Sequence, residues 1–134
     1  MKYYFIIFTS ILLSVLCSTN RSTDLQNFKL FITEFSQDSA FQIQHIRFPV
    51  ISELNEYDNI STDSIYKENW RHIDLRHKID YENQEFDKHK IEYYIKHDTA
   101  TAACHGIDNG TDLGYQFLKI DGHWFLVKHY DWST

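Results

Sequence analysis

The dipeptide Asp121-Gly122 constrains this chain more than any other two residues. Both positions tolerate positive φ, which suits a tight two-residue hairpin turn, and β-favouring apolar runs flank them over residues 114–120 and 123–131. Pairing Ile120 with His123 places Phe117, Trp124 and Leu126 on one face of the ladder. Leu118, Phe125 and Val127 fall on the other. Both faces are apolar. One is expected to cover a helix; the other calls for a second layer, a dimer contact or a ligand.

A helix is predicted over residues 24–37, where Leu25, Phe28, Phe31, Ile32 and Phe35 recur with the period of one helical face. Thr23 or Asp24 is the expected cap. Residues 36–39 end it. The mixed alternation of residues 41–48 predicts a short helical turn and then a strand from about Ile46. Pro49, lacking a donor, puts that strand at an edge or ends it. Residues 52–64 are polar and acidic and read as a long loop or irregular hairpin, followed by a helical turn within 64–70. Residues 72–76 alternate and read as a strand; residues 80–90 read as a charged loop. Ile91, Tyr93 and Ile95 share one face of a strand over residues 90–97, which residues 100–104 either continue or bend away from. Asn109-Gly110 is a second hairpin signal. One helix followed by strands in series is an α+β pattern: an N-terminal amphipathic helix packed on a curved antiparallel sheet.

The 134 residues suffice for one domain with a single core. A net charge of −6, with acids and bases interleaved, offers no basic face for nucleic acid. At the N-terminus, Lys2 precedes an apolar run over residues 3–16, shorter than the about 20 residues of a membrane span and typical of an export signal. The run Leu13-Ser14-Val15-Leu16-Cys17 resembles a bacterial lipobox, in which the Cys becomes the lipidated first residue. Leu16 stands where a small residue is usual. Three outcomes stay open: a lipid anchor at Cys17, ordinary cleavage and release, and a retained anchor. The expected organisation is a signal peptide at 1–16, a tether at 17–23 and a domain at 24–134. The expected location is the cell envelope, as a periplasmic or outer-membrane lipoprotein, with secretion as the alternative. Cys17 and Cys104 are the only cysteines, so loss or acylation of Cys17 leaves no internal disulfide.

Several segments together resemble a family of uncharacterised bacterial envelope lipoproteins within the cystatin-like, nuclear-transport-factor-like superfamily. They are Phe31, Phe35 and Asp38 with Phe41-Gln42; Ile46-Arg47-Phe48-Pro49-Val50; Trp70; Tyr115 and Phe117; Asp121-Gly122-His123-Trp124 with Leu126; and Asp131 with Ser133. The resemblance implies a cone-shaped α+β fold and an envelope compartment. It carries no activity, so it transfers no functional residues. Residues 52–69 depart from it in length and acidity.

The chemistry must therefore be sought in single residues. None of the eight histidines has the His-x-His or His-x3-His spacing of a ligand pair, and no metal is expected. A phosphate-cradling glycine loop and a dinucleotide fingerprint are absent, and no cofactor is expected. Cys104 and His105 are neighbours on an extended segment and point to opposite faces, which leaves Cys104 as a small buried hydrophobe. Cone-shaped folds set polar groups in an apolar cavity, where a carboxylate can move a proton. The candidates here are Asp131, Tyr115 and His45 for acid–base work, and Trp70, Tyr115, Lys128 and Asp131 for ligand contact. The plainer alternative pairs Asp131 with Lys128 at the sheet surface. Asp38 is placed to accept from backbone donors near the helix end. Tyr93, Tyr94, Tyr115, Trp124 and Trp132 serve either as core or as a pocket for a sugar or flat hydrophobe.

Three functions from different classes follow. The chain is a non-catalytic envelope module that binds a small molecule or partner, a cone-fold enzyme using Asp131 with a Tyr or His, or a structural module that forms a homodimer through the outer sheet face. The first is the reading adopted at this stage.

Overall fold

The computed structural model describes residues 22–56, 59–76, 89–107 and 110–134. The export segment, Cys17 and most of the tether lie outside them, as do residues 80–88 of the expected charged loop and Asn109 of the second hairpin signal. Helix α1 occupies residues 22–37 and helix α2 Ser39–Gln44. Six strands follow: β1 (Ile46–Glu56), β2 (Asn59–Ile65), β3 (His89–Lys96), β4 (Thr99–Gly106), β5 (Asp112–Ile120) and β6 (His123–Asp131). They form one sheet in the order β2-β1-β6-β5-β4-β3. Neighbours are antiparallel except β1 and β6, which run parallel. No helix among the described residues is long and apolar enough to cross a membrane.

The α+β expectation holds, with the final hairpin near the centre of the sheet. Ile120 pairs with His123, and both turn residues have positive φ, Asp121 at 49° and Gly122 at 80°. The expected stripe of α1 builds the core: Phe28, Ile32 and Phe35 are fully buried against Phe117, Leu126, Trp124, Ala100 and Ala102. Phe28 meets Phe117 and Trp124 edge-on, with ring centroids 5.5 and 5.2 Å apart. Burying each such side chain contributes about 1.5–3 kcal/mol.

Asp38 separates the two helices and caps the second, its carboxylate accepting from the backbone N–H groups of Ala40 and Phe41. Neither Thr23 nor Asp24 caps α1, because the helix is already under way at residue 22.

Three expectations about the middle of the chain are corrected. Pro49 neither ends β1 nor puts it at an edge; β1 lies between β2 and β6. The missing donor is tolerated because the β1–β6 register shifts between Ile46 and Ile51, so no regular ladder bond is required there. Residues 52–56 and 59–64 pair as a regular antiparallel ladder, with pairs from Val50 with Ile65 to Glu56 with Asn59. Residues 72–76 form no strand. Their backbone is taken up by the helices instead: Ile73 N–H donates to Gln42 and Leu75 N–H to Ser36.

Residues 100–104 lie in a separate strand, β4. The turn before it carries no glycine; His97 adopts the left-handed conformation at φ 56°. The outer face needs less cover than its composition implied. The Arg47 guanidinium lies 4.2 Å from the Phe125 ring centroid, and Val127 is half-buried, although Leu118 remains exposed.

Candidate functional site

Register fixes the inner, helix-bearing face of the sheet row by row. The row nearest the helices is apolar, with Ile65 and Val50 on β2 and β1, and Phe117, Ala100 and Ile95 on β5, β4 and β3. The next row reads Asp63, Ser52, His129, Tyr115, Ala102, Tyr93 from β2 across to β3. The third reads Ser61, Leu54, Asp131, Leu113, Cys104, Ile91. The inner face thus changes from apolar to mixed polar and aromatic within two strand residues. Cover changes with it: Val50 is fully buried, whereas Leu54, on the same face, is 37% exposed.

A bulge in β6 decides which residues enter this region. Phe117 pairs with Leu126 and Gln116 with Lys128, so Val127 has no opposite number. Strict alternation from Trp124 and Leu126 would put Lys128 and Tyr130 inward. The extra residue reverses that order, turning His129 and Asp131 inward and Lys128 and Tyr130 outward.

Among the candidates, Tyr115 and Asp131 share the inner face. Tyr115 packs against the core, its ring 4.9 Å from that of His129. Burial pushes its phenol up, and the charges of Cys104 and Asp131 add to the effect. Asp131 accepts from the backbone N–H of Ser133 at 3.1 Å. His45 and Trp70 do not join them. His45 caps the end of α2, bonds the Phe41 carbonyl through Nδ1 at 2.9 Å and stacks on the Phe41 ring. Trp70 donates its indole N–H to Gln42 Oε1 at 3.0 Å and meets Phe48 edge-on. Lys128 lies on the outer face and bonds Glu53 at 2.7 Å, so its salt bridge is with Glu53, and the expected pairing with Asp131 is corrected. Cys104 and His105 point to opposite faces, as expected, and His105 lies 3.3 Å from Asp112. No cluster of three or more metal-ligating side chains occurs among the described residues.

Sequence reasoning missed His129 and Ser52. Ser52 Oγ and His129 Nδ1 are 3.3 Å apart. Burial lowers the His129 pKa, while the Asp131 charge acts in the opposite direction. The imidazole therefore favours its neutral form, which keeps one ring nitrogen as an acceptor. Only the bulge brings His129 here, and no local pattern signals it. A cleft of about 570 Å³ lies between α1 and β3 and is lined in part by Leu25, Lys29, Arg76 and Tyr93. It holds none of the inner-face polar residues except Tyr93.

One protein-family model matches residues 26–133 of the chain. Among solved structures, the chain is similar to an NTF2-like protein from Bacteroides fragilis, at 22% identity and a TM-score of 0.55. That alignment covers 78% of this chain and 46% of the other, so the chain spans under half the length of that protein. It is also similar to a cystatin-like protein from Bacteroides caccae, at 25% identity and a TM-score of 0.57 over 77% of this chain and 74% of that one. A Bacteroides uniformis protein solved by NMR aligns at 19% identity with a TM-score of 0.53, again over 77% and 74% of the two chains. No curated protein matches the chain.

Proposed function

Because the chain belongs to the family whose model matches residues 26–133 and is an NTF2-like, cystatin-like domain by its solved neighbours, we propose that it is a non-catalytic binding module of the bacterial envelope. It takes a small molecule on the inner face of its sheet, beyond the helices. The observation that carries this reading is the change from the apolar Val50–Phe117 row to the rows holding Ser52, His129, Tyr115 and Asp131, where Leu54 loses cover. Small-molecule sites combine apolar walls with a few convergent polar groups, and these rows supply both. Catalysis needs an acid and a base in contact along one proton path. The Asp131 carboxylate accepts from the Ser133 backbone N–H, and His45 lies beside Phe41 away from it, so binding is favoured over acid–base chemistry by Asp131.

The test is ligand screening by NMR on the mature chain. Binders are expected to perturb Tyr115, His129 and Asp131 together. A set of confirmed binders that all act elsewhere would sink the reading.

The envelope part rests on the lipobox-like run ending at Cys17. Cys17→Ser is expected to move the protein from the membrane fraction to the soluble fraction; unchanged fractionation refutes the anchor.

A homodimer through the outer face is a second reading. It is favoured by exposed Ile51, Leu118, Tyr94 and Trp132 on the outer side of the molecule. Sedimentation of a strict monomer at micromolar concentration would reject it.

A further inference from the structure

Helix α1 and the edge strand β3 part to leave the cleft of about 570 Å³, a volume that takes a small molecule. Leu25, Lys29 and Thr33 recur at four-residue intervals on α1 and form one wall. Ile91 and Tyr93 of β3 form the facing wall on the inner side of the sheet, and Arg76 joins them from the chain before β3. The Tyr93 hydroxyl donates to the Leu75 carbonyl at 2.6 Å, so what Tyr93 offers the cleft is its ring.

The charges around this cleft do not cancel. Glu92 lines it, and its carboxylate is held by Lys90 at 2.8 Å and by the Tyr94 hydroxyl at 2.6 Å. Arg76 is paired with Asp74, Nε donating to Oδ1 at 2.8 Å and Nη2 to Oδ2 at 2.5 Å. That pair engages one edge of the guanidinium and leaves the N–H groups of Nη1 for another acceptor. The Lys29 ammonium makes no ion pair among the described residues. The acids of its own helix, Asp24 and Glu34, each stand five residues away and therefore about 140° round α1 from it. With Arg76 matched by Asp74 and Lys90 by Glu92, the positive charge of Lys29 is left over at the cleft.

We propose that this cleft binds a small organic monoanion, a carboxylate carried on an apolar chain. The proposal goes beyond the inner-face reading, because the cleft shares only Tyr93 with the polar rows. The carboxylate pairs with Lys29 and accepts from Nη1 of Arg76, whose planar fork suits a carboxylate head. Leu25, Ile91 and the Tyr93 ring cover the apolar chain. One negative charge matches the charge that the cleft leaves uncompensated. A second would face Asp74 and Glu92, and a cation would meet Lys29 and Arg76.

Probes that share one eight-carbon chain test the proposal on the mature chain by NMR chemical shifts: octanoate, octyl phosphate, octylammonium and octanol. Octanoate is expected to perturb Leu25, Lys29, Arg76 and Ile91 together, with affinity falling as salt is added. Octyl phosphate is expected to bind there more weakly, and octylammonium and octanol to leave these residues unmoved. Lys29→Gln removes an exposed charge with little change of shape and is expected to weaken octanoate about tenfold. Lys96→Gln makes the same change of net charge at an exposed position outside the cleft and is expected to leave binding unchanged. Octanol or octylammonium binding at the cleft as tightly as octanoate overturns the anion assignment, and tighter octyl phosphate overturns the match to a single charge. A Lys29→Gln variant that binds octanoate as well as the parent overturns the role given to Lys29, with unchanged dispersion of its spectrum showing that it is folded. Octanoate that leaves the cleft residues unmoved overturns the site. Shifts confined to Tyr115, His129 and Asp131 do so while leaving the inner-face reading standing.

Discussion

Tyr130 fills the space that Gly114 leaves empty on the outer face: a β-carbon at position 114 would lie 2.5 to 2.6 Å from two Tyr130 ring carbons and the hydroxyl. The two residues are register partners on β6 and β5. Gly114 is buried, as is Ala103, its partner on β4. Small residues in the middle strands therefore make a trough, and an aromatic from the neighbouring strand closes it. Gly114→Ala is expected to force Tyr130 away and destabilise the domain by about 1–3 kcal/mol. Chemical denaturation measures this, and Gly114→Ala combined with Tyr130→Ala should recover part of the loss.

Gln42 is the buried polar hub of the helical end. Its Nε2 donates to the carbonyls of Phe35 and Ile73, both at 2.8 Å. Its Oε1 accepts from the Trp70 indole at 3.0 Å and from Ile73 N–H at 3.1 Å. One amide thus joins α1, α2 and the segment after the Lys67–Asn69 turn. Gln42→Leu keeps the volume but strands these partners, and is expected to cost at least about 3 kcal/mol. Gln42→Glu places a buried carboxylate oxygen against the Phe35 and Ile73 carbonyls, so a melting temperature well below the parent's is expected at neutral pH, recovering in part on acidification as the carboxyl takes up a proton.

His129 gives stability a pH dependence of known sign. Burial sets its folded pKa below the ordinary 6.5. Below that pH the unfolded chain takes up the proton first, so acidification favours unfolding until the folded pKa is reached. The contribution of the neutral imidazole is complete above about pH 6.5 and is lost as pH falls below it. His129→Gln, which cannot titrate, is expected to flatten the melting temperature between about pH 5 and 7 relative to the parent. Parallel curves for the two proteins would contradict this.

Lys128 and Glu53 form a half-buried pair on the outer face, the Glu53 side chain being 19% exposed. Lys128→Met is expected to lower stability by about 1 kcal/mol and to reduce the salt dependence of unfolding. Inner-face resonances such as those of Tyr115 should not move.

Several of the residues that carry the family resemblance pack together at the helical end. Phe41-Gln42, Phe48 and Trp70 are far apart in sequence and meet through the Gln42 amide and the Phe48–Trp70 ring contact. Trp70 was a ligand-contact candidate, yet its N–H is committed to Gln42. Spacing alone does not separate these roles, because a buried tryptophan needs a partner for its N–H whether it packs or binds.

Sequence by itself determined the features whose causes are local. Asp121-Gly122 set the final hairpin and its Ile120–His123 register because this dipeptide readily takes positive φ at both positions, in a two-residue turn whose twist matches the flanking strands. The apolar stripe from Leu25 to Phe35 set the helix and the face it buries. Tertiary structure alone decided the parallel insertion of β1 beside β6 and the unpaired Val127 opposite the β5 ladder. Both depend on strands distant in sequence, and no local alternation records them. The same one-residue offset turns His129 and Asp131 towards the inner face and Lys128 away from it. Any chemistry at this site is therefore set by a long-range register, whereas the scaffold that holds it is set by local turn and helix signals.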